Sequence, residues 1–177
     1  MSRLLIQGGR VIDPASGRDE LADVAIAEGR ITAIGRGLDA GGATRIDAGG
    51  CVVMPGLVDL AVRLREPGRE HEGMLESELR AAAAGGVTSL VCPPDTDPTL
   101  DEPGLVEMLK FRARQLSSCR LFPLGALTRA LAGEVLTEMA ELTESGCVGF
   151  SQADMPVRDT MVLWRALQYA ATFGYTV

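Results

Sequence analysis

Apolar residues are spaced in two different ways along the chain. Up to residue 55 they come in short runs, LLIQGGRVIDP, ADVAIAEGRITAIG and ATRIDAGGCVVMPG, punctuated by Gly, Asp and Pro. Such runs between turn residues predict strands, and their succession predicts a small antiparallel sheet. From residue 56 strand-length runs alternate with stretches of helical spacing. GLVDLAVRL is followed by GMLESELRAAAAGG, whose paired Gly85 and Gly86 predict a helix end. The strand VTSLVC and the turn-rich PPDTDPTLDEPG come next. A helix follows with Pro103 and Gly104 near its start and Leu105, Met108, Leu109 and Arg112 at helical spacing. CRLFPLGAL then precedes GEVLTEMAELTESG, where Val135, Leu136, Met139 and Leu142 predict one apolar stripe. CVGF leads through SQADMPVRD to a helix marked by Met161, Trp164, Leu167 and Ala171, and GYTV closes the chain.

The change of rhythm predicts two domains, 1–55 and 56–177, the second with four β/α units and the start of a fifth. That repetition predicts an α/β fold with a parallel sheet or a (β/α) barrel. A complete barrel takes roughly 250 residues, so the expectation is the first half of one, in a fragment of a longer protein.

Composition narrows the function classes. A net charge of −7 leaves no basic face for nucleic acid, and 46% hydrophobic residues can fill a core. The apolar runs are shorter than the roughly 18 residues of a membrane span, and MSRLLIQGG lacks the core of a signal peptide. A cytoplasmic location without membrane association is the expectation. Cys51, Cys92, Cys119 and Cys147 stand singly among apolar neighbours, which predicts buried free thiols. The lone histidine, His71, lies in the polar stretch GREHEG and is expected in an exposed loop. One imidazole cannot build a histidine cluster. The run Ala81 to Ala84 reads as a close-packing helix face. PPDTDP has acids but neither the spacing nor the amide donors of a calcium loop.

PGLVDLAVRLREPG combines a strand's alternation with two arginines. Asp59, Ala61, Arg63 and Arg65 are expected on one side, facing into the barrel at its C-terminal mouth, and Leu60, Val62 and Leu64 on the other.

This stretch resembles the first barrel strand of the dihydroorotases, members of the amidohydrolase superfamily, which reads Pro-Gly, an apolar pair, Asp, x, His, x, His, Leu, Arg, x, Pro, Gly. AAAAGGVTSLV resembles the following helix-to-strand junction, PDTDP the Pro-Asn-Thr-x-Pro loop, and GCVGFSQADMPV the fourth-strand segment with its two aspartates. The N-terminal runs resemble the first half of the superfamily's β-sandwich. LREPG sets the group apart from hydantoinases and dihydropyrimidinases.

The resemblance implies a zinc enzyme that interconverts carbamoyl aspartate and dihydroorotate through a metal-bound hydroxide. This sequence departs from the pattern at the ligands. Ala61 and Arg63 stand in place of the two histidines, and Gln152 and Ala153 in place of the two aspartates. Alanine has no donor atom and a guanidinium stays protonated, so the zinc site is expected to be lost, with no catalytic residue and no cofactor. Arg65 is kept at the position that clamps substrate carboxylate, while Asp95 replaces an asparagine. A carboxylate about 4 Å from an anionic substrate repels it by roughly 4 kcal/mol at an effective dielectric near 20. Arg63 is expected to pair with Asp59, Asp95 or Asp154, or else to bend into solvent; Arg65 is expected either to hold an anion or to pair with Glu66 or another acid.

The expectation is a dihydroorotase-like pseudoenzyme. By resemblance it would join the aspartate carbamoyltransferase catalytic chain in a hetero-oligomer, as a non-catalytic subunit in pyrimidine biosynthesis. The alternatives are an active cyclic-amide hydrolase completed by a C-terminal half, and a binding protein that holds a small carboxylate at Arg65.

Overall fold

The computed structural model describes residues 3–116 and 119–177. The chain divides into two compact units, Met1–Pro55 and Gly56–Val177.

In the first unit, β1 (Arg3–Asp13), β2 (Arg18–Ala27) and β3 (Arg30–Gly35) form an antiparallel meander. β4 (Thr44–Asp47) and β5 (Val52–Val53) then line the free edge of β1, both parallel to it. The sheet is therefore mixed, not antiparallel as its turn-rich sequence predicts. Residues 36–43 carry the chain from the β3 edge past β2 to the far side of β1, so β4 arrives in β1's own direction. A bulge at Gly8, φ +73°, breaks the β1–β2 register. There the buried Asp23 carboxylate accepts from Gly8 N at 2.9 Å and Leu38 N at 3.0 Å, and these two amide bonds hold its pKa below the usual carboxylate range. Val11, Ala22 and Val24 form the small core.

The second unit is a parallel sheet clad in helices. β6 (Leu57–Asp59), β7 (Val87–Cys92) and β8 (Arg120–Pro123) lie side by side in chain order. β9 (Gly125–Ala126) continues the β8 run and pairs in parallel with β10 (Phe150–Ser151). Phe150 N donates to Thr176 O at 2.9 Å, so the last residues add to the same side. The connecting helices are α1 (Leu75–Ala84), α2 (Pro103–Leu116), α3 (Met139–Ser145) and α4 (Thr160–Phe173). Sequential parallel order with a helix in each crossover is the arrangement of a (β/α) barrel. Leu64, Leu75, Leu79, Leu90, Leu109 and Leu142 fill the layer between sheet and helices; each contributes about 1.5–3 kcal/mol by leaving water.

Several elements differ from the apolar pattern. The first strand of this unit ends at Asp59, not Leu64, because the Asp59 carboxylate turns the chain by accepting from Ala61 N at 3.0 Å. Val62 N rejoins the ladder on Val91 O at 2.9 Å, and Leu64 is buried while Leu60 is 71% exposed. α2 buries Val106, Leu109 and Ala113, leaving Met108 on the surface. Residues 134–138 are not helical because they pair backward: Leu136 bridges Thr128, Arg129 N donates to Val135 O and Thr137 N to Leu127 O. α3 accordingly begins at Met139, and Val135 is exposed. α4 buries Ala166 and Ala170, so the Met161–Trp164–Leu167 stripe faces outward. Of the alanine run, Ala82 alone packs against the core. All four thiols are free, but Cys51 is exposed; burial pushes the Cys92 and Cys147 thiols up to about 12. Among the described residues no helix is long and apolar enough to cross a membrane.

Candidate functional site

Parallel strands leave their following loops at one end of the sheet, and three of those loops meet at Arg63. It lies four residues beyond β6, Asp95 three beyond β7 and Asp154 three beyond β10. Arg63 Nε donates to Asp95 Oδ2 at 2.7 Å, and its Nη2 donates to Asp154 Oδ2 at 2.6 Å. The guanidinium thus ties the first, second and fourth strand ends together. Its pKa is raised, first by the hydrogen bond it donates to Asp95 and then by that carboxylate's charge, with Asp154 adding less. The difference follows exposure: the Asp95 side chain is 27% accessible and Asp154 86%. Asp59, the third candidate partner, uses its carboxylate on its own turn.

Arg65 follows Arg63 in sequence but not in direction. Its φ of +63° turns the chain, and its Nε meets Glu72 Oε2 at 3.2 Å. Glu66, the neighbouring acid, is buried and faces away. Its Oε2 accepts from Leu75 N at 2.8 Å at the start of α1, and its Oε1 pairs with Nη1 of Arg112 on α2. The loop bearing Arg65 is therefore pinned to two helices by an acid that the strand pattern does not single out. A second pin joins it to the Asp95 loop, where Asp97 N donates to Pro67 O at 3.1 Å. Gly68 makes that approach possible: at φ +98°, a Cβ there would lie 2.0 Å from Asp97 O. The recess bounded by Arg63, Arg65, Arg69 and Asp95 has a volume of about 10 Å³, the room of a single water.

Gln152 does not join Arg63. Its amide nitrogen donates to Leu131 O at 2.8 Å, and its amide oxygen accepts from Thr128 Oγ1 at 2.9 Å. Thr128, fully buried, in turn accepts from Gly133 N. The clamped loop carries Ala130 and Leu131 at φ +50° and +56°, and Asp101 Oδ2 accepts from Ala130 N at 2.7 Å. The neutral amide donates at one position and accepts at the other, whereas an ionised carboxylate there could only accept. Ala61 is exposed two residues past β6, and Ala153 sits at φ +49°. His71 is 77% exposed, 3.7 Å from Glu72. Among the described residues, no group of three or more His, Cys, Asp or Glu side chains is arranged to hold a metal ion.

What the arrangement does chemically is bridge. One permanently charged fork engages two carboxylates from different loops, while the amide at 152 is occupied elsewhere.

Comparison with known proteins places these features in a lineage. A family model described as Dihydro-orotase-like matches residues 50–176. A Dihydroorotase-like protein of Pseudomonas aeruginosa is 49% identical over 173 residues, covering 97% of this chain and 41% of that protein. A protein of Pelobacter propionicus named Dihydroorotase is 48% identical over 168 residues, covering 94% and 40%. The chain thus spans about two fifths of the length of these curated relatives. Among solved structures, L-hydantoinase from Arthrobacter aurescens superposes with a TM-score of 0.82 at 26% identity, over 99% of this chain and 40% of the other. A dihydroorotase superposes with a TM-score of 0.66 at 17% identity, over 99% and 50%, a likeness of fold alone. The fold is α/β and matches part of the length of amidohydrolase chains.

Proposed function

The chain belongs to the dihydroorotase-like family, and from that premise we propose that this member is a cytoplasmic pseudoenzyme, a non-catalytic subunit that assembles with the aspartate carbamoyltransferase catalytic chain. The observation that carries the reading is the Arg63 bridge. Its guanidinium, without a lone pair, sits on Asp95 and Asp154 in the space between strand ends where active relatives are expected to hold metal. Ala61 has no donor atom, and Gln152 spends both ends of its amide on the 128–133 loop. These residues do not fit a zinc ion. An arginine that spans the loop ends can hold the mouth together, leaving the outer surface as the working part of the molecule. The partner comes from the family resemblance alone; the name Dihydroorotase-like protein of the Pseudomonas relative speaks only to the family.

The test uses the full-length protein. Purified and freed of loosely held metal, it should contain no stoichiometric zinc, leave dihydroorotate unhydrolysed, and form a hetero-oligomer with aspartate carbamoyltransferase at about 1 µM. Turnover with bound zinc would overturn the pseudoenzyme, and failure to associate would overturn the partner.

A second reading is an active cyclic-amide hydrolase that draws its ligands from a further part of the protein. It is favoured by the name of the Pelobacter relative, Dihydroorotase, at 48% identity. The same assays separate the two.

A further inference from the structure

We propose that a second site, a cationic cleft at the N-terminal ends of β7 and β8, binds a phosphate-bearing small molecule. The cleft has a volume of about 640 Å³, within the range of small-ligand pockets. Lys110, Arg114 and Arg120 all line it, and no acidic residue does. That is unusual in a chain of net charge −7, whose guanidiniums at positions 10, 18, 63, 65, 80 and 112 each engage a carboxylate.

The three cations are differently held. Lys110 is partly buried, its Nζ 3.3 Å from both Ser145 O and Gly146 O at the end of α3, so its ammonium is fixed against one wall. Arg114 lies one turn farther along α2, and Arg120 opens β8. Both are exposed, and neither side chain has an ion-pair or hydrogen-bond partner among the described residues. A cleft of one sign with low-dielectric walls concentrates counter-ions, and two free guanidinium forks match the oxygens of a phosphate. Phe122, on the same strand face as Arg120, supplies an apolar side against which an organic body can rest. The three cationic residues line one concavity, which favours a small anion over an acidic protein surface.

The site is separate from the Arg63 bridge. Arg63 and Asp95 follow the C-terminal ends of β6 and β7, whereas Thr88 and Arg120 in the cleft mark the N-terminal ends of β7 and β8. All its lining residues fall between 88 and 146. The proposal therefore stands or falls independently of whether the protein is an enzyme.

The experiment is calorimetric titration of the full-length protein at low ionic strength with inorganic phosphate, pyrophosphate and adenosine monophosphate. Saturable binding is expected, weakened by added salt. In an Arg114→Gln, Arg120→Gln variant it should weaken by roughly tenfold or more. Both side chains lack partners among the described residues, so the variant should melt with the wild type. An Arg114→Lys, Arg120→Lys variant, which keeps charge but not the forks, should fall between the two. Tighter binding of adenosine monophosphate than of phosphate assigns an organic ligand, and equal binding assigns a free phosphate. No saturable heat with any probe, or unchanged affinity in the glutamine variant, would overturn the site. So would loss of an acidic protein partner in that variant when none of the three probes binds.

Discussion

At the scale of the residue, Arg63 combines two properties. Its guanidinium has no lone pair to offer a cation, and it cross-links two loops through Asp95 and Asp154. Arg63→Met keeps much of the stem and deletes the fork, leaving Asp95 and Asp154 close together without their cation. The variant should melt below the wild type, and the gap should narrow in about 1 M salt, where screening acts within roughly 3 Å. Equal melting curves at low salt would show that the bridge does not brace the fold. Arg63 and its acids were legible as candidates because each falls just past a predicted strand. Which acids it would choose was not. Asp59 was a candidate on spacing, yet its carboxylate is taken by the amide two residues away, a local bond that ends the strand. Gln152 stands out in the sequence only through the family resemblance, where an aspartate is expected, and not as a clamp, because its partners lie 21 and 24 residues back, in a loop whose left-handed backbone at Ala130 and Leu131 no composition rule predicts.

Elements were read well where one face alone is apolar and poorly where two faces compete. α4 has a large-residue face, Met161, Trp164 and Leu167, and a small-residue face, Ala166 and Ala170; the latter packs, since small side chains let a helix approach a sheet closely. α3 lost its predicted first turn to backbone pairing with residues 127–129. The start of α1 depends on Glu66, which stands outside the helix and is invisible to helical periodicity. Glu66→Ala removes the acceptor for Leu75 N and the partner of Arg112 from a buried position. A loss of about 1–3 kcal/mol is expected by denaturant titration, the cost of an unsatisfied buried donor with a half-exposed arginine able to rehydrate. Amide exchange should quicken first in α1 and in residues 65–72. Uniform acceleration across the unit would mean that the acid does not hold the loop in particular.

The whole molecule consists of two compact units, and the family model matches the end of the first and nearly all of the second. If the metal site has been rebuilt as an ion-pair bridge, reverting the first-strand positions alone will not reverse it. An Ala61→His, Arg63→His variant of the full-length protein should still lack zinc-dependent hydrolysis of dihydroorotate, because Gln152 remains tied to Leu131 and Thr128 and supplies no carboxylate. Zinc uptake with turnover in that variant would show that the two histidine positions were the whole of the loss.

By itself the sequence determined the alternation of strands and helices, the parallel sheet of the second unit and the family, because apolar spacing and short motifs such as LREPG are local along the chain. Tertiary structure alone decided that β4 and β5 run parallel to β1, which face of α4 is packed, that Glu66 serves α1 and Arg112 instead of Arg65, and that Arg63 bridges Asp95 and Asp154. Those outcomes depend on which side chains arrive within hydrogen-bond distance after distant loops converge, and that is a competition in space which spacing along the chain does not encode.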